Sequence, residues 1–180
     1  MILDQNKSLI LVIDVQEKLL KAVFNKEKLE NKSEIIIKTC DILNIPVFIT
    51  EQYPKGLGET VNSVKNSVRN AKFYVKEDFN ALADFKLLED LKNTNRKQVI
   101  VFGIETHICV YHTVCALLEN GFDVTVLKDS CGSRLEEEFL TALDCMKING
   151  AKIKTTEMVV FEWLKSSKHP KFKEIQGLVK

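Results

Sequence analysis

The sequence predicts an α/β fold: a three-layer αβα sandwich around a mostly parallel six-stranded sheet. Short apolar runs rich in β-branched residues alternate with longer segments in which apolar residues recur at helical spacing. The first run, SLILVI at 8–13, shows no polar alternation, which is typical of a strand buried on both faces of a parallel sheet. Alternation repeated along the chain indicates strand–helix–strand units that share one sheet.

The first half of the chain contains three predicted strands and two predicted helices. The strands are at 8–13, 46–50 and 71–75, and the helices are at 29–43 and 81–91. Pro46 opens the second strand, a position where a missing N–H is tolerated. The segment EQYPKGLGE at 51–59 is the longest irregular piece, and loops of that length in a compact domain are often functional.

The second half repeats the pattern. Its predicted strands are at 98–102, 123–127 and 151–155, its helices are at 108–119, 136–149 and 158–164, and a short amphipathic helix is expected in the tail. Gly103 stops the fourth strand, while Gly121 and Gly150 end the helices before them. Because no linker, repeat or low-complexity stretch interrupts the pattern, we expect a single domain over 1–180.

Composition excludes several classes of protein. The 180 residues include 26 Lys and Arg against 25 Asp and Glu, so the basic surplus of a dedicated nucleic-acid binder is missing and nucleic acid is not an expected partner. The apolar run before Asp14 is too short for a secretion signal or a membrane span, so no membrane association is expected. Five cysteines, an odd number without a CxxC pair, favour a reducing, cytoplasmic location over a disulfide framework or structural zinc.

Three reactive side chains follow three different predicted strands. Asp14 follows the first strand, Lys76 the third, and Cys109 comes shortly after the fourth. Ligands of open α/β sheets bind beyond the carboxyl ends of the strands, so these side chains are expected to meet at one edge. Alone, an aspartate there is often a helix cap and a lysine is often only solvated, but the combination indicates a site.

The chemistry of these residue types is that of nucleophilic catalysis. Cys109 is predicted to lie in the first helical turn, where the helix dipole and the ammonium of Lys76 favour thiolate. Asp14 is then the proton acceptor, and a thiol beside a base attacks carbonyl-like carbon.

Other polar and aromatic residues near the strand ends are candidates for a substrate pocket. These are Gln16, Gln52, Tyr53, Phe79 and His107. For each an alternative stays open: Gln16 at the surface, the loop of Gln52 and Tyr53 on a neighbouring subunit, Phe79 in the core, and His107 as a helix cap.

Two alternatives involve the helix that follows Cys109. His112 lies on the same helical face as Cys109 and is a competing base, and Cys115 extends the pair toward a metal-like spacing. Asp14 is the better placed base, and no fourth metal ligand is evident, so neither a metal nor another cofactor is expected. Arg134 is expected to pair with a partner's carboxylate or to hold its own loop.

Several motifs together resemble the isochorismatase-like cysteine hydrolase superfamily, which includes nicotinamidases and has a Rossmann-like fold. The motifs are VIDVQ at 12–16, TEQYPKGLG at 50–58, K-x-x-F at 76–79, GIETHICV at 103–110, GFDVTVLKDSCGSR at 121–134 and HPKFKEIQ at 169–176. The likeness spans nearly the whole chain and is similar in detail to the isochorismatase-domain-containing branch. It implies a catalytic triad of Asp14, Lys76 and Cys109.

The same resemblance implies further features of the site. It places a non-proline cis peptide between Ile104 and Glu105, which orients the backbone N–H groups of Glu105 and Cys109 as an oxyanion hole. It also implies a homo-oligomer, a dimer or larger. The sequence departs from the nicotinamidases at their metal site, because residues 51–56 (EQYPKG) contain no histidine.

The sequence therefore predicts a metal-independent cysteine hydrolase that acts on a small amide-, imine- or ester-like molecule. The alternatives are a non-catalytic interaction or oligomeric scaffold, and a nuclease-like activity on the same fold.

Overall fold

A computed structural model describes residues 2–180, and at their centre lies one six-stranded sheet. The strands are β1 (Ser8–Ile13), β2 (Val47–Gln52), β3 (Ala71–Lys76), β4 (Gln98–Ile104), β5 (Asp123–Gly132) and β6 (Lys152–Lys154). They are ordered β3-β2-β1-β4-β5-β6, and every neighbouring pair is parallel. The predicted α/β fold with a parallel sheet is confirmed.

Helices cover both faces of the sheet. They are α1 (Glu17–Ala22), α2 (Lys26–Leu43), α3 (Pro54–Leu57), α4 (Asn62–Lys65), α5 (Phe85–Asn93), α6 (Tyr111–Glu119), α7 (Glu136–Ile148), α8 (Thr156–Leu164) and α9 (Phe172–Val179). Helix α2 contacts α1, α4, α8 and α9, while α6 contacts α7 on the other face. Within residues 2–180, no helix combines the length and the apolar character that crossing a bilayer requires.

The core is built around β1. This strand has a neighbour on each side, and all six of its residues are buried, which explains its unbroken apolar run. The polar exception at its start, Ser8, accepts a hydrogen bond from Nε1 of the buried Trp163 at 3.0 Å. Helix α8, the predicted 158–164 segment, therefore belongs mainly to the core, with Met158 and Phe161 left exposed.

Strand β5 is longer than the predicted 123–127. The strand continues past Leu127 through polar residues, of which Asp129 is buried and accepts hydrogen bonds from the backbone N–H and Oγ1 of Thr156, at 2.8 and 3.0 Å. The carboxylate therefore caps the first turn of α8. Tertiary contacts satisfy side chains that looked exposed in sequence.

The segment after β2 is more ordered than the irregular loop predicted for 51–59. Strand β2 continues through Gln52, and α3 begins with Pro54 at its first position, where the missing N–H costs no hydrogen bond. Helix α1 was also missed, because a single turn and a half is too short to show a clear apolar period.

Gly103 brings the ends of β1 and β4 close together. Its φ is +140°, and a Cβ on it would lie 1.9 Å from the carbonyl oxygen of Ile13. Since Ile13 directly precedes Asp14, this close approach also sets the spacing between Asp14 and the segment that carries Cys109.

We predict that Gly103→Ala lowers the free energy of unfolding by about 2–5 kcal/mol, because it combines a backbone conformation disfavoured for alanine with a clash against backbone. Gly177→Ala in α9 is the control, since a Cβ there meets no atom within 4 Å. Urea unfolding of the purified variants measures both, and equal midpoints for the two variants would contradict the prediction.

Candidate active site

Asp14 turns the chain at the end of β1 and is fully buried. Its backbone adopts φ 49°, in the left-handed region that aspartate tolerates better than most residues. Its Oδ1 accepts a 2.7 Å hydrogen bond from Oγ1 of Thr50, which pairs with Ile13 across β1 and β2. Oδ2 lies 2.6 Å from Nζ of Lys76. The carboxylate is therefore held by a hydroxyl on one oxygen and a cation on the other.

Lys76 reaches this carboxylate from the last position of β3. Strand β3 lies two strands from β1, about 10 Å away at the usual spacing, which the two side chains span together. Its ammonium also donates to Oε1 of Gln52 at 2.7 Å and to the carbonyl oxygen of Asp78 at 3.2 Å. With only 6% of the residue exposed, Lys76 is held almost entirely by protein groups.

Cys109 lies in a π-helical turn, Thr106–Val110, that leads from β4 into α6. It is 6% exposed, and the charges of Asp14 and Lys76 both act on its thiol. The structure thus brings Asp14, Lys76 and Cys109 to one place, from the ends of three strands that the sheet order groups together.

The expectation that the thiol ionises easily is corrected. Burial, followed by the negative charge of Asp14, raises the pKa of Cys109 to about 12, and Lys76 opposes this shift only in part. The neutral thiol is therefore the resting form. Any thiolate has to arise by passing its proton to an adjacent base.

Thr50 is a site residue that the sequence reasoning missed. It ends the apolar run of the second strand. Only the register of the neighbouring parallel strands, in which Thr50 pairs with Ile13, shows that its hydroxyl lies beside Asp14. That register is unknown before the sheet order is known. Gln52, expected in the pocket, holds Lys76 through Oε1 and donates through Nε2 to the carbonyl of Glu77 at 2.6 Å.

Gln16 differs from both of its expected roles. It is fully buried, and its amide bonds the segment after β2: Nε2 donates to the carbonyls of Gln52 and Gly58 at 3.0 and 2.6 Å, and Oε1 accepts from the N–H of Gln52 at 2.7 Å. It faces neither solvent nor a pocket. Its role is to hold the backbone of Gln52, whose side chain accepts a hydrogen bond from Lys76.

The other pocket candidates are spread over the surrounding surface. Tyr53 is 55% exposed, and Phe79, also 55% exposed, stacks on His112 with ring centroids 6.2 Å apart beside a cleft of about 900 Å³. Nδ1 of His107 lies 3.0 Å from Oγ of Ser133 and its Nε2 lies 3.1 Å from Oε2 of Glu138, and the residue borders a second cleft, of about 590 Å³.

Glu105 follows a cis peptide bond to Ile104. Its carbonyl oxygen accepts hydrogen bonds from the N–H groups of Ile108 and Val110, at 3.1 and 3.2 Å, and so shapes the π-helical turn. Its side chain pairs with Nε of Arg134 at 2.9 Å, so Arg134 holds a loop of its own chain.

Metal-ligand side chains do not cluster in the described part of the chain. Among residues 2–180, no group of three or more His, Cys, Asp or Glu side chains is arranged to hold a metal ion. Two of the three residues with metal-like spacing, Cys109, His112 and Cys115, make other contacts. His112 stacks on Phe79, and Cys115 accepts a hydrogen bond from Asn149 at 3.5 Å.

The chain is similar in sequence to known proteins. The isochorismatase domain model matches residues 8–158. Isochorismatase family protein 1A of Dictyostelium discoideum is 36% identical over 181 residues, which cover 98% of this chain and 87% of that protein.

Solved structures of the same fold are also similar. The MAR1 ribonuclease from Caenorhabditis elegans superimposes with a TM-score of 0.94 at 34% identity, over 99% of this chain and 92% of that one. YcaC from Pseudomonas aeruginosa, solved with hexane-2,5-diol and covalent acrylamide, has a TM-score of 0.93 at 26% identity, covering 98% and 91%. The Escherichia coli YcaC product, described as an octameric hydrolase of unknown specificity, has a TM-score of 0.90 at 25% identity, covering 99% and 95%.

We predict that Gln16→Leu lowers the free energy of unfolding by about 1–3 kcal/mol, since it leaves partly buried backbone groups of Gln52 and Gly58 without their amide partner. Hydrogen exchange should accelerate in residues 52–58 while β4 stays protected. Uniform acceleration across both regions would contradict this role.

Removing one of the two charges beside the thiol should shift the pKa of Cys109 in one direction, and removing the other should shift it in the opposite direction. Asp14→Asn should lower the pKa of Cys109 from about 12, and Lys76→Met should raise it, because the first charge disfavours the thiolate and the second favours it. The pH dependence of iodoacetamide labelling, read on the Cys109 peptide, measures both shifts, with the Cys145 peptide as internal control. Shifts in the same direction would contradict the assignment.

Proposed function

The chain belongs to the isochorismatase family, and we propose that it is a cysteine hydrolase that acts, without a metal, on a small amide-, imine- or ester-like substrate. The observation that carries the proposal is the buried contact between the Asp14 carboxylate and the Lys76 ammonium beside the thiol of Cys109. Burying two charges is costly unless they are paired, so a buried pair next to a nucleophile is a candidate for chemistry.

The first half of the reaction begins with the neutral thiol. Asp14 accepts the proton of Cys109 as the sulfur forms a bond to the carbonyl carbon, and the carbonyl π electrons move to oxygen. The raised pKa of the thiol describes loss of its proton to water while Asp14 keeps its charge. Transfer to Asp14 itself avoids two adjacent negative charges, and Lys76 then faces the sulfur.

The second half releases product and restores the enzyme. The oxygen electrons re-form the carbonyl as the bond to the leaving group breaks, and protonated Asp14 returns its proton to that group. Asp14 then takes a proton from water, and the resulting hydroxide attacks the thioester. The carbon–sulfur bond breaks, and the proton on Asp14 returns to Cys109.

Charge on the carbonyl oxygen needs donors, and we assign these to the backbone N–H groups of Glu105 and Cys109. The proposal is supported by the position of both residues at the π-helical turn, whose shape is maintained by the carbonyl of Glu105. We further propose a homo-oligomer, supported by the octameric state of the similar Escherichia coli YcaC. A cytoplasmic location is proposed from the five cysteines, an odd number without a CxxC pair.

A nuclease-like activity is the second candidate, favoured by the likeness to the Caenorhabditis elegans MAR1 ribonuclease. Incubation with single- and double-stranded RNA separates the two: cleavage lost in Cys109→Ala would assign it to the same site, and cleavage retained would assign it to another. A scaffold role is favoured if every variant of the triad keeps wild-type behaviour.

We predict that Cys109→Ala and Asp14→Asn each reduce turnover of small amides and esters by about 100-fold or more, since each removes the nucleophile or its base. Turnover is measured as product release from a panel of small amides and esters. Intact-mass spectrometry separately detects an acrylamide adduct on the protein. Cys145→Ala is the control for loss of a thiol and should keep activity. Full activity of Cys109→Ala would contradict the proposal.

A further inference from the structure

We propose that this site selects uncharged or cationic substrates and rejects anionic ones. The inference rests on the proposed hydrolase function and adds the charge class of its substrate. It is carried by two independent observations: the nearby cations other than Lys55 are already occupied, and acidic residues outnumber basic ones at the edge of the sheet where the site lies.

The ammonium of Lys76 is already surrounded by acceptors of the protein. An ammonium has three N–H groups. In this structure three acceptors surround it: Oδ2 of Asp14 at 2.6 Å, Oε1 of Gln52 at 2.7 Å and the carbonyl oxygen of Asp78 at 3.2 Å. A substrate carboxylate or phosphate would have to displace one of them, and the first is the catalytic base.

Two further cations around the site are also engaged. Arg134 is paired with Glu105 at 2.9 Å, and Nζ of Lys18 donates to the carbonyl of Gly56 at 2.7 Å. Lys55 is exposed on α3 and has no ion-pair partner among residues 2–180, so its positive charge has to be set against the acidic residues of this edge.

Acidic residues outnumber basic ones at the edge of the sheet where the site lies. The segments that end or follow strands β1 to β5 contain ten acidic residues against four basic ones, over 14–18, 51–59, 76–78, 105–107 and 133–138. The whole chain has a net charge of +1, so negative charge is concentrated at the active edge and positive charge elsewhere. An edge with this surplus of negative charge repels anions before they reach the nucleophile.

Glu77 and Asp78 are the acids nearest to Lys76 along the chain. Both side chains are exposed, and the structure shows no cation paired with either carboxylate among residues 2–180. Their backbone carbonyls hold Gln52 and Lys76, so the side-chain charge of each is removable without removing that hydrogen bond. They are therefore the best positions at which to change the selectivity.

The test compares three methanethiosulfonates of similar size that carry a positive, a neutral or a negative group. Their rates at Cys109 are read by peptide mass spectrometry at low ionic strength and divided by the rates with free 2-mercaptoethanol. Because all three react with the same thiolate, the fraction ionised cancels from the ratios. We expect the cationic reagent to exceed the anionic one by about tenfold or more, with the difference shrinking as salt is added.

The double variant Glu77→Gln/Asp78→Asn should reduce the cationic-to-anionic ratio by about threefold, the size expected for two partly screened charges. The matched control Glu89→Gln/Asp144→Asn removes two exposed acids on α5 and α7 and should leave the ratio unchanged. A wild-type ratio near one, or one that favours the anion, would overturn the inference and leave the hydrolase proposal standing. Labelling of Cys145 with no labelling of Cys109 by any reagent would instead overturn the proposed function itself.

Discussion

The ion pair between Asp14 and Lys76 is the constraint on which the rest of the site depends. Two charges that are almost wholly buried are tolerated only when each finds partners, and removal of one typically costs about 3–5 kcal/mol. Thr50 donates a hydrogen bond to the carboxylate, and the ammonium donates hydrogen bonds to Gln52 and to the carbonyl of Asp78. Three neighbouring strands must therefore end in register. The parallel sheet provides that register, and the loop after β2 is tied down to keep it.

This pairing also explains the state of the proposed nucleophile. Beside an isolated ammonium, the thiol of Cys109 would ionise readily. Beside a lysine already neutralised by Asp14, and under burial, its pKa instead rises to about 12. The buried group of three therefore carries no net charge, and a proton moves within it without creating one. A neutral site with an acidic rim suits a substrate that brings no negative charge.

The order of strands and helices was readable from the sequence because apolar periodicity reports burial, and β1 shows this most clearly. The grouping of Asp14, Lys76 and Cys109 followed from strand ends together with the family motifs. The hydrogen bonds of Gln16 and the contact of Thr50 with Asp14 were not readable, since both depend on strand register and on a loop path. The direction of the thiol pKa was misjudged because a sequence shows neither burial nor how far one charge cancels another.

Neutron crystallography of the deuterated protein at neutral pH tests the central claim most directly, because it locates the proton shared by this group. We predict one deuteron on Sγ of Cys109, three on Nζ of Lys76 and none on the carboxylate of Asp14. A deuterated Asp14 beside a bare sulfur would contradict the account, since the resting enzyme would then already hold the thiolate, and Asp14 would lack the free oxygen that the first proton transfer needs.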